Sequence, residues 1–549
     1  MDLSYRYGLG TSGLNYSPNI TNINPSIIIP DSYNFNILNN SIKSRGGTEI
    51  IYDFKESTII TSIFQYKNDL FITTIDGKIF INDSLIYSGN NNIENATYII
   101  WNDNVIISSG TNIPQVFIPE STSTIDYPED KMAADWKIAG EYPEIMYLHG
   151  KGNSVRAWAI GRESYDNILY YSVTNQGESP LQQVPDFSED TEKDNGFFYI
   201  DLRNDHRLRG MIDFGDKLIL FSDLSAFVIN NEETDTTLWG YEESQWKGGA
   251  FSHYAIVRVE NDVFVFAKDG TIYSITAVVS YGDYRISSIT ESASINDYIN
   301  EKFNLEETSR VHAIFDPTLR IIKFFLTKKH DYENTVALVY NVDRTPSNGW
   351  MLHNNELYDS GYNAACSALL LKEDNTYVII TGDYNGRIWE LETKNTRDDH
   401  QYINFQLTTP WINAEDPRNT KLFIRGFIEM SNLSAINVTV TMRVEGKYSK
   451  TLDNLFFKGS NNTFDISRWD EAVFDGSVPR EYIRYRMNRI GVDIQQIFSF
   501  KELISTTNDK FNIAKWDKDV FADKEAVFAP FYVLSNTLDF KPVAQRLTL

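Results

Sequence analysis

Apolar and polar positions alternate in strand-sized runs, and each run turns through an Asp-Gly or Asn-Gly corner into an aromatic residue. The plainest copies are DLFITTIDGKIFI (69–81), DVFVFAKDGTIYSI (262–275) and YVIITGDYNGRIWEL (377–391). In each, Asp or Asn tolerates the corner, and Gly77, Gly270 or Gly386 supplies a positive φ that a Cβ would hinder. An Ile-aromatic pair then opens the return strand. A hairpin recurring every 40–50 residues or so, too small to bury its own faces, predicts stacked sheets of the β-propeller type. Looser copies lie at 98–110, 154–173, 206–230 and 310–327, with Leu218, Leu220 and Phe227 in strand runs and Asp316-Pro317 as a turn. The irregular spacing predicts about five to seven blades.

Outside this pattern the chain changes character. Residues 1–62 carry Pro18, Pro25 and Pro30 between Asn-rich spacers and short apolar pieces, which predicts an extended arm laid on another domain or subunit. The charged stretch 393–420 marks a boundary. Beyond it, LFIRGFIEM (422–430) and INVTVTMRVEG (436–446) read as paired strands, the second with Val438, Val440, Met442 and Val444 on one face, and YIRYRMNRIGVDIQQIF (482–498) continues in the same style. The expected organisation is an all-β chain: arm 1–62 as part of a platform, multi-blade propeller 63–392, β-sandwich-like platform 393–509, and docking tail 510–549 with Trp516, Phe528, Phe531 and Tyr532. One helix is predicted, SASINDYINEKFNLEE (292–307), with Ile295, Tyr298, Ile299 and Phe303 near one face and Ser294 as N-cap.

Composition narrows the function classes. At 549 residues with 42% hydrophobic and 14% aromatic content, the chain can bury a large β core. One cysteine, Cys366, excludes an intrachain disulfide, and its ACSALLL setting reads as core. No apolar run approaches the ~20 residues that span a bilayer as a helix, so no integral membrane segment is expected and synthesis is expected in the cytoplasm. The formal charge of −25 argues against a conventional nucleic-acid reader. The nearest basic patch, REYIRYRMNR (480–489), reads as a strand with solvated arginines.

Catalytic signatures do not emerge. There is no Gly-x-Ser-x-Gly elbow, phosphate loop, His-Glu-x-x-His pair or dinucleotide fingerprint, and the seven histidines show no metal-ligand spacing. His149, His206 and His253 read as turn or strand-edge residues. GDYNGRIWE (382–390) lacks the alternating oxygen ligands of a calcium loop. Neither cofactor nor metal is expected, and no carboxylate pair can be nominated for glycoside hydrolysis. Trp101, Trp158, Trp239, Trp350 and Trp389 sit in strand contexts that favour burial over sugar stacking. A WD-type scaffold is disfavoured because Trp-Asp repeat endings are missing.

The segment IIIPDSYNFNILNNSIKSRGGTEIIYDF (27–54) resembles the opening of the phage tail nozzle, or tail-stabilisation, proteins of short-tailed bacteriophages. In that family a Tyr/Asn-Phe pair precedes a short strand, a turn and an Arg-x-Gly-Thr step, which here are Tyr33, Asn34 and Phe35, then Arg45, Gly46, Gly47 and Thr48. Many of those proteins have Pro where Gly46 stands. Residues 209–229, 248–275 and 284–299 are also similar to the family in order along the chain, so the resemblance covers the first 300 residues or so. It implies a non-enzymatic structural virion protein: a propeller with a β-rich platform, six copies forming a ring below the head-to-tail adaptor. Such a ring would contact fibre or spike proteins, retain packaged genomic DNA and conduct it at ejection without sequence-specific binding. The alternative is a propeller glycosidase or glycan-binding module acting on cell-surface sugars.

Overall fold

A computed structural model describes residues 3–542, apart from 17–25, 38–40, 55–57, 120–122, 140–141, 162–165, 175–183, 189–193, 203–206, 232–234, 245–247, 279–282, 307–309, 355–359, 395–396, 414–418, 432–435, 445–447, 458–479, 503–531 and positions 8, 10 and 400. His206, Trp516, Phe528 and Phe531 lie outside the described residues.

The repeated hairpins build seven blades among the described residues, the upper end of the expected range. Blade 1 runs Ile60–Tyr66, Asp69–Thr74, Lys78–Ile81 and Ser84–Ser88, each strand antiparallel to the next. The same order recurs in blades 2 (97–126), 3 (145–199), 4 (208–243), 5 (256–288) and 6 (312–354). Blade 7 takes only three strands from its own neighbourhood: Cys366–Leu371, Tyr377–Gly382 and Arg387–Thr393. Its fourth is Gly47–Asp53 from the N-terminal region, running antiparallel with Arg387 opposite Asp53 and Thr393 opposite Gly47. The ring is therefore closed by the segment read as arm, and the expected boundary at 62/63 falls inside the first strand of blade 1. The reason is physical: Gly47–Asp53 finds its partner at the far end of the propeller, beyond the reach of any local pattern.

Blade stacking explains why the second strands read as unbroken apolar runs, because both faces are covered by neighbouring blades. In Lys217–Ser222, Leu218 and Leu220 pack with blade 3 residues such as Trp158 and Leu169, while Ile219 and Phe221 pack with Val263 and Val265 of blade 5. In Asn104–Ser108, Val105 and Ile107 face blade 1 and Ile106 faces blade 3. Each such side chain contributes roughly 1.5–3 kcal/mol by leaving water.

The corners follow the expected chemistry. Gly77, Gly270 and Gly386 adopt φ of 83°, 81° and 82°. The acidic residues beside them organise the turns: Asp269 accepts from Thr271 N at 2.9 Å, and Asp383 accepts from Asn385 N and Arg387 N at 2.8 Å and from Trp389 Nε1 at 3.0 Å. At Asp316 the carboxylate receives Thr318 N and Leu319 N.

The platform is two sheets sharing one core with blades 5 and 6. One sheet runs Phe35–Ile37, Ile42–Ser44, Tyr532–Pro542, Lys421–Ser431 and Arg480–Gly491, with Leu3–Tyr7 also paired to Tyr532–Pro542. The other runs Phe405–Thr408, Ile494–Glu502, Ile436–Val444 and Tyr448–Phe457. Lys421–Ser431 and Ile436–Val444 were expected to pair, yet they belong to different sheets. Their apolar faces, Ile428 and Met430 on one and Val438, Val440 and Met442 on the other, enter the same core. Alternation reports which face is buried, and a sandwich satisfies it as well as a hairpin does. The expected helix is shorter, Ile295–Lys302, and Ser294 is not a side-chain cap: it sits in the left-handed region at φ 53° without a capping hydrogen bond.

Candidate functional site

Where arm, propeller and platform meet, the family-like segments converge. Asn34 holds φ 72° and takes Leu352 O through its own N–H at 2.8 Å, while its Nδ2 donates to Asn404 O at 2.6 Å. Asn34 Oδ1 accepts from Arg45 Nε at 2.9 Å and Asn354 N at 3.0 Å. Tyr33 exchanges backbone hydrogen bonds with Gln406, and the buried Phe35 ring lies 5.5 Å from both Phe405 and Phe500. Arg45 is 1% exposed and forks onto Asp398 at 2.9 and 2.6 Å, over the Tyr362 ring at 4.4 Å. Thr48 Oγ1 donates to the same carboxylate at 3.2 Å. Gly46 and Gly47 are required by close approach, since a Cβ would stand 2.5 Å from Thr393 O and 1.8 Å from Arg397 O respectively.

A second buried ion pair adjoins the first. Glu392 accepts from Lys323 Nζ at 2.5 Å, Tyr362 Oη at 2.9 Å, Gly46 N at 2.8 Å and Asn36 Nδ2 at 3.2 Å. Burial opposes the charge on Glu392, but Lys323 and these donors outweigh it and hold the carboxyl well below the usual range. For Arg45 burial again opposes, and Asp398 more than offsets it, raising the guanidinium above its ordinary value. His353 stays neutral, pushed well down by burial and then by Lys323. Its Nε2–H donates to Phe35 O at 3.1 Å, leaving Nδ1 to accept from Lys323 Nζ at 3.3 Å. This junction ties blade 6 (Lys323, His353), blade 7 (Glu392, Thr48) and the arm into one network. Sequence reading found its N-terminal half and missed Lys323, His353, Tyr362, Glu392 and Asp398, which are single residues in unremarkable strand contexts.

A second feature is the propeller channel, about 800 Å³, lined largely by residues in or just before the first strand of each blade. Glu94 and Glu144 lead into blades 2 and 3, and Arg207, Arg209 and Arg310 into blades 4 and 6, with Lys268 from blade 5. Arg209 pairs with Asp223 at 2.5 Å, Lys268 reaches the same carboxylate at 3.6 Å, and Arg310 donates to Glu94 O at 2.6 Å. Cys366 borders the channel but donates to Ile60 O at 3.4 Å, and burial pushes its thiol up to about 12, which removes thiolate reactivity at neutral pH. His149 ends a blade 3 strand beside Asp213 at 2.5 Å, and burial pushes His253 down to about 4. Trp101, Trp158, Trp350 and Trp389 are buried, and Trp239 stacks on Trp158 with centroids 5.9 Å apart. Among the described residues no group of three or more His, Cys, Asp or Glu side chains could hold a metal, and no helix is long and apolar enough to cross a membrane.

The fold is thus a seven-bladed β-propeller carrying a two-sheet platform. No family model matches the chain, and no curated protein matches it. Among solved structures it is similar to the Cps50 (Swd1) β-propeller domain of Myceliophteria thermophila, at 11% identity and TM-score 0.38, covering 63% of this chain and 99% of that one. The computationally designed Ika8 protein is matched at 11% identity and TM-score 0.32 over 63% of this chain and 100% of that chain. The extracellular domain of a hybrid two component system from B. thetaiotaomicron is matched at 7% identity and TM-score 0.41, covering 76% of this chain and 54% of that chain.

Proposed function

We propose that the chain is a structural subunit of a phage tail nozzle, six copies forming a ring that sits below a head-to-tail adaptor, retains packaged DNA and conducts it at ejection. The observation that carries this reading is the junction. The residues bearing the resemblance, Tyr33 to Phe35 and Arg45 to Thr48, are spent on locking the arm in place: Arg45 forms a buried ion pair with Asp398, and Gly46 N donates to Glu392, whose carboxylate is itself paired with Lys323 across blades 6 and 7. Such a lock suits a load-bearing part whose propeller and platform must keep one geometry. The test is particle mass by light scattering together with subunit counting in negative stain. A ring of six copies fits the proposal, and a monomer at all concentrations refutes it. A second reading, a glycan-binding or glycoside-hydrolysing propeller, is favoured by one observation: Glu94 and Glu144 line the same channel from adjacent blades. Loss of sugar binding or cleavage in Glu94→Gln and Glu144→Gln variants would select it.

A further inference from the structure

The basic run 480–489 lies in a place that gives it a use. Arg480–Gly491 ends its sheet in the strand order, and Tyr448–Phe457 of the other sheet approaches its outer side, so what this 12-residue strand offers is its outward face. Its even positions face outward: Tyr482 and Ile490 are 62% and 60% exposed, and Arg484 and Arg486 are exposed as well. Register places Tyr482 beside Glu429, Arg484 beside Phe427 and Arg486 beside Arg425 on the neighbouring strand. Arg425 in turn lies over the Phe427 ring at 5.6 Å, and on its other side stands opposite Asp539. Arg6, 64% exposed, completes the row, and a hollow of about 220 Å³ opens between Arg6, Phe427, Glu429, Tyr482 and Ser535. Glu429 is already taken up, accepting from Arg6 at 2.9 Å, Ser535 at 2.8 Å and Tyr482 at 2.6 Å.

The face combines exposed apolar side chains, Tyr482 and Ile490, with the exposed cations Arg484 and Arg486, the pairing of apolar contact and charge that suits a protein–protein contact. The chain itself is strongly acidic at −25, so contact between copies must overcome mutual repulsion except where a locally basic surface meets the acidic remainder. We infer that the outer face of Arg480–Gly491 docks against the acidic surface of a second copy of this chain. Tyr482 and Ile490 would supply the desolvated contact and Arg484 and Arg486 the charge complementarity. This rests on the ring reading and names the surface that closes the ring.

The test is sedimentation of the full chain at 0.1 M and 1 M NaCl, between which the Debye length falls from ~10 Å to ~3 Å. Association at 0.1 M should weaken about tenfold or more at 1 M. Arg484→Glu combined with Arg486→Glu should abolish it, and the Arg484→Gln, Arg486→Gln pair should weaken it. Lys151→Glu, a reversal on the exposed Lys151–Asp216 pair, should assemble as the parent does. Circular dichroism reports folding, and if the Glu pair misfolds the Gln pair decides. Parent-like assembly of the folded variants overturns the inference while leaving the ring standing, whereas a parent that stays monomeric at both salts overturns both. Binding of a fluorescent single-stranded oligonucleotide that depends on Arg484 and Arg486 would assign the face to nucleic acid and overturn the inference as well.

Discussion

Replacing Arg45 by Met would remove the guanidinium that holds the arm to Asp398 while keeping the side chain's bulk. In the native junction Asp398 is 6% exposed and receives two charged hydrogen bonds from Arg45 and one neutral bond from Thr48. The variant leaves a buried carboxylate with the hydroxyl alone. Breaking one side of such a pair costs about 3–5 kcal/mol, against about 0–1 kcal/mol for an exposed pair such as Lys151–Asp216. Because Thr48 lies on the strand that closes blade 7, the loss should appear as local opening of the ring. Hydrogen–deuterium exchange of residues 47–53 and 387–393 should accelerate by about two to four decades, at 1.36 kcal/mol per decade. A Lys151→Ala control should leave those segments unchanged. Changing both partners, Arg45→Met with Asp398→Leu, removes the stranded charge and should recover most of the protection. If Arg45→Met exchanges like the control, or the double variant is as bad as the sum of the singles, the junction is not a coupled lock.

Val at Gly77, Gly270 or Gly386 should lower stability by roughly 1 kcal/mol or more, because a β-branched residue at φ near 80° is strained. Gly77 should suffer more than Gly270, since a Cβ there stands 2.6 Å from the backbone oxygen of Asn91 whereas at Gly270 the nearest atom is the Asn300 side chain at 2.8 Å, and unchanged melting of all three variants would refute the turn assignment. Deleting residues 1–16 removes a strand paired to Tyr532–Pro542 and the buried Tyr7, Leu9 and Leu14, so thermal melting should drop by several degrees, and an unaltered melting curve would show that the arm is dispensable to the protomer. His312 is 5% exposed and burial pushes it down to about 4. The unfolded chain, with a pKa of ~6.5, then binds the extra proton first, so this site's contribution is intact above pH ~6.5 and falls away toward pH 4 by about 3 kcal/mol. His312→Gln should flatten that slope in denaturant titrations, and an identical slope would refute it.

Local chemistry made the propeller legible. Glycine at a positive-φ corner, an adjoining carboxylate and alternating apolar runs are all written within 15 residues or so of one another. What stayed hidden is what depends on distant pairing: Gly47–Asp53 completing blade 7, and Lys421–Ser431 joining Tyr532–Pro542 rather than Ile436–Val444. Alternation fixes the buried face of a strand and says nothing of its neighbour. The junction was half legible for the same reason. Arg45, Gly46, Gly47 and Thr48 stand together in sequence, whereas Lys323, Glu392 and Asp398 are isolated charges among 125. Only burial marks them, and a lone Lys in the apolar strand IIKFFLT is the one signal available beforehand.

The charge distribution leads to a last prediction. In the proposed ring, Arg484 and Arg486 are consumed at contacts between copies, so the surfaces left to line the passage come from the acidic remainder of a chain carrying −25. Duplex DNA in such a bore is repelled by the wall, and at physiological salt the repulsion reaches about 8 Å, enough to span the near-wall water. The passage then needs no lubricating contact, and in the proposed ring retention would come from loops closing the bore rather than from a basic clamp holding phosphates. Assembled parent protein should therefore fail to retard duplex DNA at ~0.15 M salt, with the mobility of the free duplex unchanged across a titration. Tight duplex binding by the ring, steepening at low salt as arginines release counterions, would mean that the basic strand faces the lumen and that conduction works by rolling phosphate contacts instead.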